Sequence, residues 1–330
     1  MGTGASVLSG AETPPGAPAG PQVVAPDLLW RKVCAAVFMM CCGSGVLVVD
    51  YLIGLDACFN LLVIALTIWG LGEFYAMCDA RGATPFRAFG TVAAVLLVAF
   101  HWLSMPGTIL RLGLPDWVGP FFSDDAVLFG LVVAVLGSMW LQATKRDNDR
   151  TFESISSTLF GILYCWFLAS FLIKLRHLGA DGRLGGQDWN RTGTLLLLGC
   201  LAVSKFADVG AYLFGRKFGR HKLIPRISPR KTWEGLWAGL ALSAGVAYLL
   251  WAMRLLPLGH WWAPGVFALV VGGMGVLGDL AESLLKRGSG VKDAGNVIPG
   301  FGGILDVVDS LLLSAPAAYF FSVLVLRLTA

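Results

Sequence analysis

Long apolar segments dominate this sequence and restrict its fold more than any other feature. Hydrophobic residues make up 56% of the 330 residues and charged residues only 14%, whereas soluble domains carry about 25% charged residues. An apolar run of about 20 residues is long enough to cross a bilayer as a helix. We therefore predict an all-α polytopic membrane protein with about nine transmembrane helices. The predicted spans are residues 33–49, 57–78, 88–105, 122–143, 152–173, 194–214, 235–255, 264–284 and 304–326.

Composition divides the chain into three regions. Residues 1–28 are rich in Gly, Pro and Ala, so we predict a disordered N-terminal tail. Residues 29–193 contain the N-terminal group of predicted transmembrane helices. Residues 194–330 contain the remaining spans together with the two most unusual loops of the chain, 215–234 and 285–303. We therefore expect a catalytic transmembrane region there.

The distribution of Lys and Arg orients the predicted spans. Cytoplasmic loops of membrane proteins carry an excess of these residues. A cytoplasmic N-terminus places both unusual loops, and most of the 25 Lys and Arg residues, on the cytoplasmic side. We therefore predict a polar site that faces the cytoplasm.

Acidic residues recur at helical spacing on both sides of the second unusual loop. Asp279, Glu282 and Lys286 follow one another at three and four residues, which places them on one face of the eighth predicted helix. Asp306 and Asp309 repeat this spacing at the start of the ninth. Oxygen-only ligands of this kind suit Mg²⁺, and we predict that Asp279, Asp306 and Asp309 bind it. The alternative is that these acids only form ion pairs with neighbouring bases.

The loop between these helices has the composition of a phosphate site. It contains six glycines, which let backbone N–H groups approach a phosphate closely. The start of the ninth helix would add unpaired N–H donors. Lys286, Arg287 and Lys292 would neutralise phosphate charge.

The other unusual loop ends in "SPRKTWEG" and carries seven bases within 16 residues. A basic cytoplasmic loop is also what positive-inside topology and anionic lipid headgroups produce. Beyond that, Ser228 is a candidate helix cap, and Lys231 and Thr232 could hold phosphates at a helix start. Glu234 lies in the first turn of the same helix.

An ionisable pair, Lys205 and Asp208, lies inside the sixth predicted span. Such a pair is a functional candidate, and mutual neutralisation is the alternative. Asp208 precedes the basic loop by about two turns, so we expect it to line the same cavity.

The segment from Ser283 to Asp309 resembles the signature of the CDP-diacylglycerol synthases, or phosphatidate cytidylyltransferases. "DVGAYLFGRKFGRHKL" and "SPRKTWEG" are similar to the upstream segments of that family. Two positions depart from the pattern, because Phe301 replaces the usual His and Val307 the usual Arg. The residues in register are Ser283, Lys286, Arg287, Lys292, Asp293, Gly295, Pro299, Gly302, Gly303, Asp306 and Asp309.

The resemblance implies an enzyme that transfers the cytidylyl group of CTP to phosphatidic acid, forming CDP-diacylglycerol and pyrophosphate. It implies a multi-pass protein of the inner (plasma) membrane with its active site facing the cytoplasm, surrounded by membrane lipids. We expect Mg²⁺ as cofactor, a possible homodimer and no nucleic acid partner. The expected catalytic residues are Asp279, Asp306, Asp309, Lys286, Arg287 and Lys292. The expected CTP-binding residues are Asp208, Ser228, Lys231, Thr232 and Glu234.

Several other functions remain open from the sequence. A related CTP-dependent polyprenol or phytol kinase, or a CDP-archaeol synthase, would share the layout. A catalytically impaired homologue is suggested by Phe301 and Val307. An ion-coupled transporter would use Lys205 and Asp208 as an ion path, although transporters concentrate charge near the membrane midplane and this chain gathers it at one face.

Overall fold

The computed structural model describes residues 43–53, 56–145, 149–180, 189–291, 294–295 and 302–329. The predicted disordered tail at 1–28, Lys292 and Phe301 lie outside the described residues. Within them the chain forms α1 (Gly43–Ile53), α2 (Ala57–Ala80), α3 (Arg87–Leu103), α4 (Thr108–Arg111), a 3₁₀ helix (Asp116–Phe121), α5 (Asp124–Thr144), α6 (Thr151–Gly161), a π-helical turn (Ile162–Phe167), α7 (Leu168–Arg176), α8 (Trp189–Phe218), β1 (Lys222–Ile224), β2 (Ser228–Thr232), α9 (Trp233–Ala252), α10 (Ala263–Gly288) and α11 (Leu305–Thr329).

The prediction of a helical multi-pass membrane protein is confirmed at the level of its helices. The described part of the chain holds seven helical stretches that are long and apolar enough to cross a membrane, by length and composition. Helices α1 and α3 are apolar but shorter, at Gly43–Ile53 and Arg87–Leu103. The number of about nine spans therefore stays a prediction. The seven stretches are Ala57–Ala80, Trp117–Thr144, Thr151–Arg176, Asn190–Phe218, Trp233–Ala252, Ala263–Gly288 and Leu305–Leu328.

The basic loop, which the prediction placed between two spans, folds into a short antiparallel hairpin. Lys222 of β1 lies opposite Thr232 of β2, and Ile224 lies opposite Ser228. The prediction that Ser228 caps the next helix is wrong, because Thr232 is the capping residue. Residues 228–232 are extended because they pair with β1, so α9 begins only after Thr232, whose hydroxyl accepts a hydrogen bond from Gly235 N at 3.2 Å.

Small residues let the C-terminal helices approach one another closely. A Cβ atom on Gly210 of α8 would lie 2.9 Å from Gly239 Cα on α9. A Cβ atom on Gly278 of α10 would collide with the backbone of Asp309 on α11. Small residues at helix interfaces are typical of membrane proteins. Here the contact at Gly278 brings α10 and α11 together where both carry acidic residues.

A buried ionic cluster at the N-terminal end of α2 connects several helices. Asp56 forms ion pairs with Arg111 and, at 2.7 Å, with Arg176, and its carboxylate lies 3.3 Å from His177 Nε2. The Arg176 side chain is fully buried. Burial alone would raise the pKa of Asp56, but His177 and the two guanidinium groups hold that pKa below its ordinary value. The carboxylate therefore stays charged at neutral pH, and its stabilising effect is lost only on strong acidification.

Replacing Asp56 with Asn should lower the free energy of unfolding by about 3–5 kcal/mol, because buried Arg176 would lose its carboxylate. Thermal unfolding in detergent would measure the change. The matched control is Asp79→Asn, since Asp79 forms an exposed ion pair with Arg87 and should contribute less than about 1 kcal/mol. Equal small effects of the two changes would contradict the structural role of the cluster.

Candidate metal and phosphate site

Three carboxylates converge where α10 meets α11. One oxygen each from Asp279, Glu282 and Asp309 lies within 4.8 Å of the others. Glu282 and Asp309 are buried and Asp279 is half-buried. Two of the three predicted metal ligands are thus brought together, and the structure adds Glu282, which the helical spacing had placed on the same face. We call Asp279, Glu282 and Asp309 the acid group.

The chemistry of the acid group fits a divalent cation. Glu282 Oε1 is buried and accepts no hydrogen bond from any residue that the structure describes. A buried carboxylate oxygen without a partner is costly, and neighbouring carboxylates repel one another. A cation with a preference for oxygen ligands, such as Mg²⁺, would remove both costs.

Two lysines already neutralise part of this negative charge. Lys231 Nζ, at the end of the hairpin, lies 2.8 Å from Asp279 Oδ2 and 3.3 Å from the carbonyl oxygen of Val276. Lys286 Nζ lies 2.7 Å from Glu282 Oε2 and also pairs with Asp306. Positive charges therefore stand beside the acid group on two sides, as a site for polyphosphate requires.

Asp306 lies beside the acid group and shares Lys286 with Glu282. Its carboxylate pairs with Lys286 and accepts hydrogen bonds from Ala294 N at 3.0 Å and Gly303 N at 2.7 Å. These contacts join Asp306 to two points of the glycine-rich loop, one in its middle and one at its end. The structure therefore gives Asp306 an ion pair and two backbone contacts, and its role as a metal ligand stays a prediction.

The first N–H groups of α11 are already occupied, contrary to the expectation that they would be unpaired donors for phosphate. Gly303 N donates to Asp306, as described above. Ile304 N and Leu305 N each donate at 2.8 Å to one oxygen of Glu73. Glu73 is a buried residue of α2, 231 positions earlier than Ile304. In the sequence it is an acid inside an apolar span, which is a signal for a functional residue.

Lys205 adds a further cation between α8 and α11. Its Nζ donates to Val307 O at 3.0 Å and to Ser310 Oγ at 2.8 Å, and lies 3.5 Å from Asp208. The side chain of Val307, where the family pattern has Arg, is buried in α11. Asp208 is thus linked to this part of α11 through Lys205 and through a side-chain hydrogen bond with Ser310.

The other predicted binding residues surround the site in different ways. Glu234 accepts hydrogen bonds from Arg220 N and His221 N and pairs with His221 Nδ1 at 2.6 Å, so it fixes the start of the hairpin. Thr232 is buried as the helix cap, and Ser228 is half-buried in β2. Arg287 is exposed in the last turn of α10.

A bundle of apolar helices that gathers acids, lysines and a glycine-rich loop at one place has the design of a membrane enzyme that handles phosphate groups. The chain belongs to the cytidylyltransferase family, whose sequence profile matches residues 30–325. The family resemblance found in the sequence is thereby confirmed.

Curated relatives from distant organisms carry one activity in their names. A phosphatidate cytidylyltransferase of Synechocystis sp. is 33% identical over 311 residues, covering 84% of this chain and 96% of that protein. The chloroplastic phosphatidate cytidylyltransferase 4 of Arabidopsis thaliana is 40% identical, covering 80% of this chain but only 66% of its own length. A phosphatidate cytidylyltransferase of Brucella suis is 33% identical over 263 residues, covering 80% and 83%.

Replacing Glu282 with Gln should raise the Mg²⁺ concentration needed for half-maximal activity by at least about tenfold, the lower end of the effect seen for residues that support metal ligands. A Mg²⁺ titration of activity, with Mn²⁺ binding measured by electron paramagnetic resonance, would test this. Glu153→Gln changes an exposed acid in the first turn of α6 and should leave both quantities unchanged. An unaltered metal dependence of Glu282→Gln would show that Glu282 is not a ligand.

Proposed function

We propose that this protein transfers the cytidylyl group of CTP to phosphatidic acid, giving CDP-diacylglycerol and pyrophosphate. The observation that carries the proposal is the acid group with Lys231 and Lys286 in contact with it. Membership of the cytidylyltransferase family and the names of the relatives point to the same reaction.

The reaction joins two anions, so its main obstacle is charge repulsion. A phosphate oxygen of the lipid forms a bond to the α-phosphorus of CTP. The bond from that phosphorus to the oxygen bridging to the β-phosphate breaks, and pyrophosphate leaves with the electron pair. The lipid phosphate is itself the nucleophile, so no Ser or Cys nucleophile is needed. Catalysis then depends on positioning and on neutralisation of charge.

The residues of the chain divide this work by position. Asp279, Glu282 and Asp309 would hold Mg²⁺, which when bound would neutralise and orient phosphate oxygens. Lys231 and Lys286, already beside these acids, would transfer their contacts to the phosphates of CTP. Arg287 and Lys292 would extend this positive charge. Ser228, Thr232, Glu234 and Asp208 would shape the nucleotide cavity.

The second substrate is a lipid, and it would come from the bilayer that surrounds the apolar helices. Phosphatidic acid would reach the site sideways from the bilayer, because its acyl chains remain among the spans while its phosphate reaches the acid group. We place the site at the cytoplasmic face of the inner membrane, where CTP is available, in line with the Lys and Arg bias of the loops. A homodimer and the absence of a nucleic acid partner stay predictions.

Purified protein supplied with Mg²⁺, labelled CTP and phosphatidic acid should form labelled CDP-diacylglycerol and release pyrophosphate. Asp279→Asn should lower the rate by at least about a hundredfold, because it removes a charged ligand. No product with any acidic lipid would contradict the proposal. A phosphorylated product from a prenol in place of phosphatidic acid would instead identify the related kinase activity.

Replacing Lys231 with Met should lower kcat/KM for CTP by about 10–100-fold, since a hydrogen bond to a charged group contributes about 1.5–3 kcal/mol. Steady-state kinetics with varied CTP would measure the loss. Lys222→Met is the matched control, because Lys222 is an exposed residue of the same hairpin. Equal kinetics for the two variants would exclude a phosphate contact by Lys231.

A further inference from the structure

We infer that Glu73 is a positioning residue of the metal site, through which the N-terminal helices hold the start of α11 in the geometry that the acid group needs. Nothing in the proposed reaction requires a residue of α2. The inference deepens the proposed function, but its central measurement is metal binding and does not depend on which lipid is the substrate.

The contact begins with the carboxylate of Glu73. Its two oxygens accept hydrogen bonds from Ile304 N and Leu305 N, both at 2.8 Å. These are N–H groups at the start of a helix, where no intrahelical partner is available and a negative charge is favourable. Both oxygens of one buried carboxylate are therefore used to fix the first turn of α11.

The same carboxylate also packs against the glycine-rich loop. A Cβ atom on Gly295 would lie 2.7 Å from Glu73 Oε1, and a Cβ atom on Gly303 would collide with the Glu73 carboxylate. Neither glycine has the left-handed backbone that would by itself favour glycine, whereas Gly302 does, with φ of 101°. Close packing against Glu73 is thus the physical reason for glycine at positions 295 and 303.

An apolar contact one turn earlier supports the polar one. A Cβ atom on Gly70 of α2 would lie 3.6 Å from Leu305 Cδ1, and Leu305 is buried. Helix α2 therefore approaches the first residue of α11 with both a small apolar residue and a charged one. Two such contacts together limit both the sliding of α11 along its axis and its rotation about that axis.

The contact between Glu73 and the start of α11 influences the metal site through α11 itself. Asp309 lies one turn after Leu305 and belongs to the acid group, so any shift at the start of α11 moves it relative to Asp279 and Glu282. Asp306 lies between Leu305 and Asp309 in the sequence and joins α11 to Lys286. Residues that hold metal ligands in place without touching the metal change affinity by about 10–100-fold when altered.

The main test is direct metal binding by the full chain carrying Glu73→Gln. Gln keeps the size of Glu but loses the charge and one acceptor. We expect the dissociation constant for Mn²⁺, measured by electron paramagnetic resonance, to rise about 10–100-fold. Amide hydrogen exchange at Ile304 and Leu305 should become faster. Glu153→Gln, an exposed acid on α6, should change neither. Unchanged Mn²⁺ binding together with unchanged exchange would overturn the inference.

A second set of variants tests the same contact from Gly303. Its first member, Gly303→Ala, leaves Glu73 in place and so covers the case in which Glu73→Gln fails to fold. Gly303→Ala should weaken Mn²⁺ binding in a wild-type background, because its methyl group would displace the Glu73 carboxylate. In a Glu73→Ala background the same change should cost little further affinity, since the methyl group then has space. If the losses of Mn²⁺ affinity caused by Gly303→Ala and Glu73→Ala simply add in the double variant, the assigned contact between the two residues is wrong. A wild-type protein that binds Mn²⁺ but makes no CDP-diacylglycerol would refute the proposed reaction and leave this inference standing.

Discussion

The site depends on the close approach of α10 and α11 at Gly278. That contact places Asp309 of one helix beside Asp279 and Glu282 of the other. Carboxylates brought together out of water repel one another, and a buried, unpartnered oxygen of Glu282 adds to the cost. The helices tolerate this arrangement because small residues let them pack and because lysines offset part of the charge. The remaining net charge of these side chains is negative, which suits a divalent cation. A bound cation would in turn attract a polyphosphate.

Each lysine near the acids comes from a different part of the chain. Lys231 lies at the end of the hairpin, Lys286 in the last turns of α10 and Lys205 in the middle of α8. Their contacts join α8, the hairpin, α10 and α11 around one polar centre. These acid–base contacts connect the helices, and the N-terminal part of the chain reaches the start of α11 through Glu73. The division predicted at residue 194 stays a prediction.

The sequence predicted much of the site because its residues are close along the chain. Asp279, Glu282 and Lys286 share a helical face by spacing alone, and the glycine-rich loop is short enough to bring Asp309 near them. Sequence reasoning was less successful where backbone pairing decided the outcome. Ser228 looked like a helix cap, yet strand pairing with β1 keeps residues 228–232 extended and moves the cap to Thr232. The contacts of Asp306 with Lys286 and the loop backbone could likewise not be predicted from spacing, and its role as a metal ligand stays a prediction.

By itself, the sequence determined the helical membrane class, the cytidylyltransferase family and the segment around which the carboxylates converge. Apolar length, helical spacing and a long motif are local properties, and local properties can be read along a chain. Only the tertiary structure decided which carboxylates share a site, which lysines reach them and what occupies the first N–H groups of α11. Those outcomes depend on contacts between residues up to 232 positions apart, such as Glu73 and Leu305. Such contacts form because buried polar groups must find partners wherever the packed helices place them.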